Sequence, residues 1–250
     1  MKYTKLLPLL ILLLPWIIGA CSNNHDAETP PPEMDLVTLQ IASELSHWLP
    51  SVASCAAEIP DFAIYTEVLP QSDFDLDKAE LVMRVGARSD TDPSVAIMGV
   101  EILVVVAGSQ LPLTSLSKDS LQAIFTGSIT HWDAVKEMNE TGNALSEPIQ
   151  TLSYPESHPL RDLFEDYYLE GKAISSNPQI FSTLDYLDRF LLDNPYAIGY
   201  VLKSQIPEHA KIVTISGFDP KAADHYVLAI TPQAPAEKLK QFLLCLQNSR

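Results

Sequence analysis

The sequence predicts an α/β fold, and three observations carry that expectation. Ile102 to Ala107 is a continuous apolar run, which fits a strand buried on both faces, as in a parallel sheet covered by helices. From Met34 to Val106 the chain reads strand, helix, strand, short turn or helix, strand, the grammar of an α/β sheet. Further on, Ser157 to Glu170 and Phe181 to Leu192 each carry apolar residues at helical spacing.

Taken in order, Met34 to Ile41 reads as the first strand, followed by a helix through Leu45, Trp48, Leu49, Val52 and Ala56. Phe62 to Val68 alternates and is β-branched enough for a second strand. Asp75 to Lys78 makes a short turn, Ala79 to Val85 a third strand, and Gly86 to Pro93 a polar loop before the strand Val95 to Val106. Gly108 stops that strand, Ser117 caps a helix carrying Leu121, Ile124 and Phe125, and Gly127 ends it. Ile149 to Leu152 is a short strand, and the helix from Ser157 presents Leu160, Leu163, Phe164, Tyr167 and Tyr168. The helix from Phe181 is broken by Asn194-Pro195, after which Ala197 to Leu202 returns as a strand. Lys211 to Ile215 and Tyr226 to Ile230 are further strands, and Pro235 to Gln247 is a closing helix started by proline.

The chain has 250 residues and 46% hydrophobic content, enough for one large domain or two small lobes. Its formal charge of −16 makes it a poor nucleic-acid partner, because it repels phosphates. Enzyme motifs are absent: there is no GxSxG elbow, P-loop, HExxH or CxxC. The histidines (His25, His47, His131, His158, His209, His225) show no metal spacing, and no cofactor is expected. Asp73, Asp75 and Asp77 alternate as in calcium loops but lack the glycine and terminal glutamate of that motif.

At the N-terminus Lys2 and Lys5 precede an apolar run from Leu6 to Ile18, the order of a secretory signal. That run is shorter than the roughly 20 apolar residues a membrane-spanning helix needs. Ile18-Gly19-Ala20-Cys21 is similar to a bacterial lipobox, whose cysteine is lipidated on sulfur and becomes the mature N-terminus. Ser22 to Glu33, with prolines at 30–32, reads as an extended polar tether. The expected organisation is a signal peptide (1–20), a lipidated tether (21–33) and a folded part on the outer face of the cell membrane.

Leu116-Ser117, Leu121, Ile124-Phe125, Gly127, Ile129 and Trp132, together with Ala197-Ile198-Gly199-Tyr200, form two blocks of one pattern. They resemble the "ls..ql..IF.G.i..W" and "aIGY" blocks of phosphate-type substrate-binding proteins of ABC transporters. The resemblance implies a type II periplasmic-binding fold: two α/β lobes, each a mostly parallel sheet flanked by helices, closing over a cleft. On that pattern lobe one is about 34–107 plus 201–250 and lobe two about 108–200. It also implies a monomer that catalyses nothing, binds a small anion such as phosphate or a related oxyanion, and delivers it to a membrane permease. The other reading is the same fold kept for signalling or protein contact without tight anion binding.

Such proteins hold an oxyanion with backbone amides at helix N-termini, hydroxyls, one arginine and one aspartate. The resemblance points to Ser43 and Ser46 after strand one, although ordinary N-capping accounts for either serine equally well. Ser72 stands where the family has a Gly-Ser-Gly turn, here without its glycines. Gly86-Ala87-Arg88-Ser89-Asp90 resembles the family's GASD loop and nominates Ser89 and Asp90. Ser153 to Pro159 occupies the place of the family's R…SGT nest and nominates Ser153 and Ser157. There Ser153 replaces the arginine, and His158-Pro159 replaces Gly-Thr. Arg161 is a partial substitute or a surface partner of Glu165. These departures imply weak phosphate binding. The family fold also puts the first and last helices in one lobe, so Cys55 and Cys245 are expected to form a disulfide, the alternative being two buried thiols.

Replacing Cys21 with serine is expected to release the protein from the membrane fraction. Cell fractionation checks this, and unchanged membrane association would contradict the lipobox reading.

Overall fold

The computed structural model describes residues 34–90, 92–140, 142, 145–219 and 224–249. The expected signal peptide, the lipidation site Cys21 and the tether lie outside the described residues.

β1 (Asp35–Ala42) leads into a 3₁₀ helix (Ser43–Trp48) and then α1 (Leu49–Ala57). The single helix expected here is therefore two. Pro50 has no N–H and its ring opposes the carbonyl four residues back, so α-helical bonding restarts only at Leu49. β2 (Phe62–Leu69) lies parallel to one side of β1, with Asp35 opposite Phe62, and β3 (Leu81–Val85) lies parallel to the other. β4 (Ser94–Gly108) is followed by β5 (Ser115–Ser117), α2 (Lys118–Phe125), α3 (Lys136–Glu140) and β6 (Leu152–Ser153). Next come α4 (Pro159–Tyr167), β7 (Gln179–Ile180), α5 (Leu184–Asp193) and β8 (Ile198–Leu202). β9 (Ala210–Ser216), β10 (Asp224–Thr231) and α6 (Glu237–Asn248) complete the described chain.

The α/β class is as expected, but the sheet is mixed. β2, β1 and β3 run parallel, as do β5 with β9 and β6 with β7. β10 runs antiparallel to both β3 and β4. β4 changes partners along its length: Ser94–Ile102 pairs with β10, whereas Leu103–Gly108 lies antiparallel between β8 and β9. The apolar run Ile102–Ala107 therefore reports burial, complete on one face and partial at Ile102 and Val104 on the other, and not strand direction. β9 bonds to the Gly108 end of β4, so residues 210–216 sit with β8 and not with β10.

A backbone constraint fixes that end of β4. Gly108 donates its N–H to Ala197 O at 2.9 Å, and a Cβ at Gly108 would lie 2.3 Å from the Pro195 carbonyl oxygen. No larger residue fits there without moving the turn that carries the chain into β8.

Most buried side chains form one large cluster, running from Leu39, Trp48 and Phe242 beside β1 to Phe125, Trp132, Phe164 and Tyr200 around β8, and Ala79, Val82, Leu228 and Ile230 form a second, smaller one. Trp132 is fully buried and donates its indole N–H to Tyr196 O at 3.1 Å, so the sequence block that ends in it is a packing device. Ser117 caps α2 by accepting from the Ser120 N–H, as the sequence predicts. α4 starts later than expected. His158 caps it, Pro159 takes the first helical turn, and Ser157 sits outside at a φ of 64°.

Cys55 on α1 and Cys245 on α6 are joined by a disulfide with a Cα–Cα separation of 5.7 Å and a sequence separation of 190. For a loop of that size, chain-entropy arithmetic sets an upper bound of about 5 kcal/mol, and about 2–4 kcal/mol is the usual measured range. Cys245→Ser is expected to lower the free energy of unfolding by about 2–4 kcal/mol in a urea titration. Mass spectrometry of the unreduced protein is expected to find Cys55 and Cys245 bridged, and two free thiols there would contradict the pairing.

Candidate functional site

The C-terminal end of β1 and the N-terminal end of α5 face each other across a cleft of about 340 Å³. One wall is Ser43, Glu44 and Ser46, with Val68 from β2; the other is Tyr154 and the segment Ser182–Asp185. Gln205, from the short 3₁₀ turn after β8, closes one side. An adjoining cavity of about 450 Å³ shares Ser46, Leu184, Asp185 and Gln205 and extends past His47 to Asp188 and Glu208.

Ser43 and Ser46 line this cleft as the resemblance implies, though neither caps the 3₁₀ helix: Ala42 holds the cap position without a side-chain bond. Between them lies Glu44, only 5% exposed yet part of the cleft wall. Its Oε1 accepts from Gln71 Nε2 at 2.5 Å and its Oε2 from Ser43 Oγ at 3.2 Å. Gln205 Nε2 donates to the Glu44 backbone carbonyl at 2.8 Å.

The remaining nominated residues do not line the cleft. Ser72 is exposed and donates to Asp73 Oδ1 at 2.9 Å; its neighbour Gln71 makes the contact to Glu44. Ser89 and Asp90 are exposed, and the structural aspartate of that loop is Asp92. Asp92 Oδ2 accepts from Arg84 and from the Ser89 N–H, each at 2.8 Å. Ser153 is fully buried, bonded to Tyr200 Oη at 2.8 Å and donating to Tyr154 O at 2.9 Å. Ser157 is exposed on the far side of its left-handed turn. Arg161 is 7% exposed and donates through Nε to Glu165 Oε1 at 2.9 Å, the i+4 pairing weighed against its binding role. The cleft residues that sequence reasoning missed are Glu44, Tyr154, Ser182–Asp185 and Gln205. Glu44 and Asp185 did carry a signal, as acids in the first turn of a helix.

Aromatic packing backs the cleft's second wall at Tyr154. Tyr154 stacks on His158 with centroids 4.3 Å apart and packs against Phe181 and Tyr200. Burial pushes the Tyr154 phenol well above its ordinary range, helped by the neighbouring Tyr200 and Glu44. Burial also holds His158 below the ordinary imidazole range, against the pull of Glu44 and Asp162.

A second carboxylate ties the first wall to the sheet. Glu101 on β4 is 3% exposed, and its Oε1 lies 2.8 Å from His47 Nε2 and accepts from Trp48 Nε1 at 3.4 Å. Its Oε2 accepts from Ser204 Oγ at 2.7 Å. Burial alone would raise this carboxyl, but the His47 and Ser204 hydrogen bonds, the His47 charge and Trp48 outweigh it, and its pKa falls below the ordinary 4.5.

The family model described as PBP superfamily domain matches residues 72–243. The phosphate-binding protein PstS of Bacillus subtilis is 27% identical over 139 residues, which are 55% of this chain and 43% of that protein, so the match spans less than half of that relative. A putative phosphate ABC transporter substrate-binding protein from Clostridium perfringens, solved with bound phosphate, superposes with a TM-score of 0.67 at 18% identity, over 85% of this chain and 93% of that one. An ABC-type phosphate transport receptor from Vibrio cholerae gives 0.65 at 15% identity with the same coverages. The OxyR regulatory domain of Pseudomonas aeruginosa gives 0.59 at 12% identity, over 85% and 97% of the two chains. At these identities the structural likeness establishes a shared two-lobed fold and no shared ligand.

Glu101→Gln is expected to destabilise the protein by about 2 kcal/mol near neutral pH. A carboxyl with a depressed folded-state pKa contributes stability above its unfolded pKa and loses it as pH falls through the folded value. The deficit in Tm relative to the parent protein is therefore expected to be full at about pH 7 and to shrink below about pH 4.5. Thermal melts across that range check it.

Proposed function

Since the chain belongs to the PBP superfamily, we propose that it is a lipid-anchored, extracytoplasmic solute receptor of an ABC importer that holds phosphate weakly or not at all. The observation that carries this is the cleft, whose two walls come from opposite halves of the chain: Ser43–Ser46 beside β1, and Tyr154 with Ser182–Asp185 beside β6 and α5. The strand pairings support lobes of about 34–102 with 224–249, and 103–216, the chain crossing at β4 and again between β9 and β10. We propose these bounds in place of 34–107 plus 201–250 and 108–200, and the bonding of β8 and β9 to Leu103–Gly108 supports them. Closing the halves on a solute is the motion such an arrangement supports, and it presents a closed surface to the permease. The protein acts by binding, without catalysis.

The weak affinity for phosphate follows from where the charges are. Arg161 is committed to Glu165, Ser153 is sealed against Tyr200, and Pro159 offers no N–H at the start of α4. Hydrogen bonds to charged groups contribute about 1.5–3 kcal/mol each, so losing an arginine and one backbone donor costs about 3–6 kcal/mol. That is about two to four decades of affinity. Glu44 and Asp185 in the cleft wall add repulsion. The second reading, a binding fold kept for signalling or protein contact, is favoured by the same loss of anion partners.

Calorimetric titration of phosphate at about pH 7 is expected to give millimolar affinity or none. Repeating it at pH 5.5 is expected to recover little, because the buried His158 takes up its proton less readily than a free imidazole. Sub-micromolar binding at neutral pH would overturn the weak-phosphate reading.

A further inference from the structure

We propose that the cleft takes a small monocation, a primary or quaternary ammonium solute, and that Glu44 is the residue that selects it. This rests on the reading of the cleft as the solute site.

The argument is a charge balance. Two helix starts face the cleft, the 3₁₀ helix at Ser43 continuing into α1, and α5 at Leu184. Helix starts favour anions with roughly half a positive charge each. Here both ends are answered from within the chain. Glu44 and Asp185 stand in their first turns, and Thr183 accepts the Tyr186 N–H at 3.3 Å. Two carboxylates against two half-charges leave roughly one negative charge in the cleft. Among the described residues lining this cleft there is no lysine or arginine to cancel it, and the adjoining cavity adds two further carboxylates, Glu208 and Asp188, the latter paired with His209. His47, the one imidazole there, is engaged with Glu101. Arg189, one turn after Asp185 on α5, lines a neighbouring depression that shares Thr183 and Asp185 with the cleft, so it offsets Asp185 in part and leaves Glu44 as the selecting charge.

Glu44 is suited to be read by a ligand. A carboxylate has about four acceptor positions, and Gln71 and Ser43 take one on each oxygen. These two bonds hold the group in the wall and leave one position on each oxygen. Tyr154 borders the same space, and with His158 stacked on it and Phe181 and Tyr200 packed against it, it shapes the wall beside Glu44. Ser46, Ser182 and Thr183 supply hydroxyls for a polar tail. At about 340 Å³ the cleft falls at the small end of ligand sites, which suits a compact solute.

The test is calorimetry on the full chain with choline, ethanolamine and tetramethylammonium on one side, and phosphate and sulfate on the other. A monocation is expected to bind, with Glu44→Gln weakening it about ten- to a hundredfold and Asp185→Asn, at an exposed position, weakening it less. Circular dichroism confirms that each variant is folded; if Glu44→Gln is not, Asp185→Asn alone carries the comparison, and no weakening there counts against the proposal. Anion binding that Glu44→Gln strengthens would keep the cleft as the solute site and overturn the choice of a cation. Cation binding unchanged by both variants would place the site elsewhere and overturn the cleft reading as well. Silence from every cation of the panel overturns the proposal and leaves the receptor reading to a permease cross-linking assay.

Discussion

A strand that exchanges one neighbour for two others midway along its length imposes its geometry on everything attached to it. β4 pairs with β10 up to Ile102 and with β8 and β9 from Leu103 onward, so a single run of backbone belongs to both halves of the sheet. The core packed on it is continuous for the same reason. At the far end Gly108 and Pro195 approach too closely for any side chain, which fixes where β8 begins relative to β4. Near the middle, Glu101 reaches out to His47 and Ser204 and so sets the position of the cleft's first wall. The cleft is thus a consequence of one strand's partners.

Much of this was legible in the sequence where local chemistry decides. The apolar run of β4 and the Ser117 cap follow from hydrophobic pattern and turn residues alone, and the buried Trp132 closes the block that carries the family resemblance. Strand direction around β4 was not, because an apolar run records burial and is blind to whether its neighbours run with it or against it. The break before Leu49 was visible in Pro50, whose missing N–H has a local effect.

The site was harder to read than the fold. Arg161 and Asp90 had the right residue types in the right neighbourhoods, but side-chain direction is decided by packing. Arg161 turns to Glu165, and in its loop Asp92, not Asp90, receives Arg84. Glu44 is the opposite case. A lone acid between two serines has no motif, and only the fold reveals that it is 95% buried at the edge of a cavity. Charge at a helix start, ordinarily an invitation to a bound anion, is satisfied here by the chain itself. Likeness in fold to phosphate receptors and to a regulatory domain alike fits that picture, since the ligand is set by a few side chains on a shared frame.

The link between Cys55 and Cys245 makes most of the folded chain a covalent ring. A protease that nicks any one exposed loop inside that ring cannot release a fragment, because the two pieces stay tied through sulfur. Such a nicked molecule gains only the mass of one water and migrates as one species until a reductant is added. A closed chain thus tolerates a first cut that an open one would not.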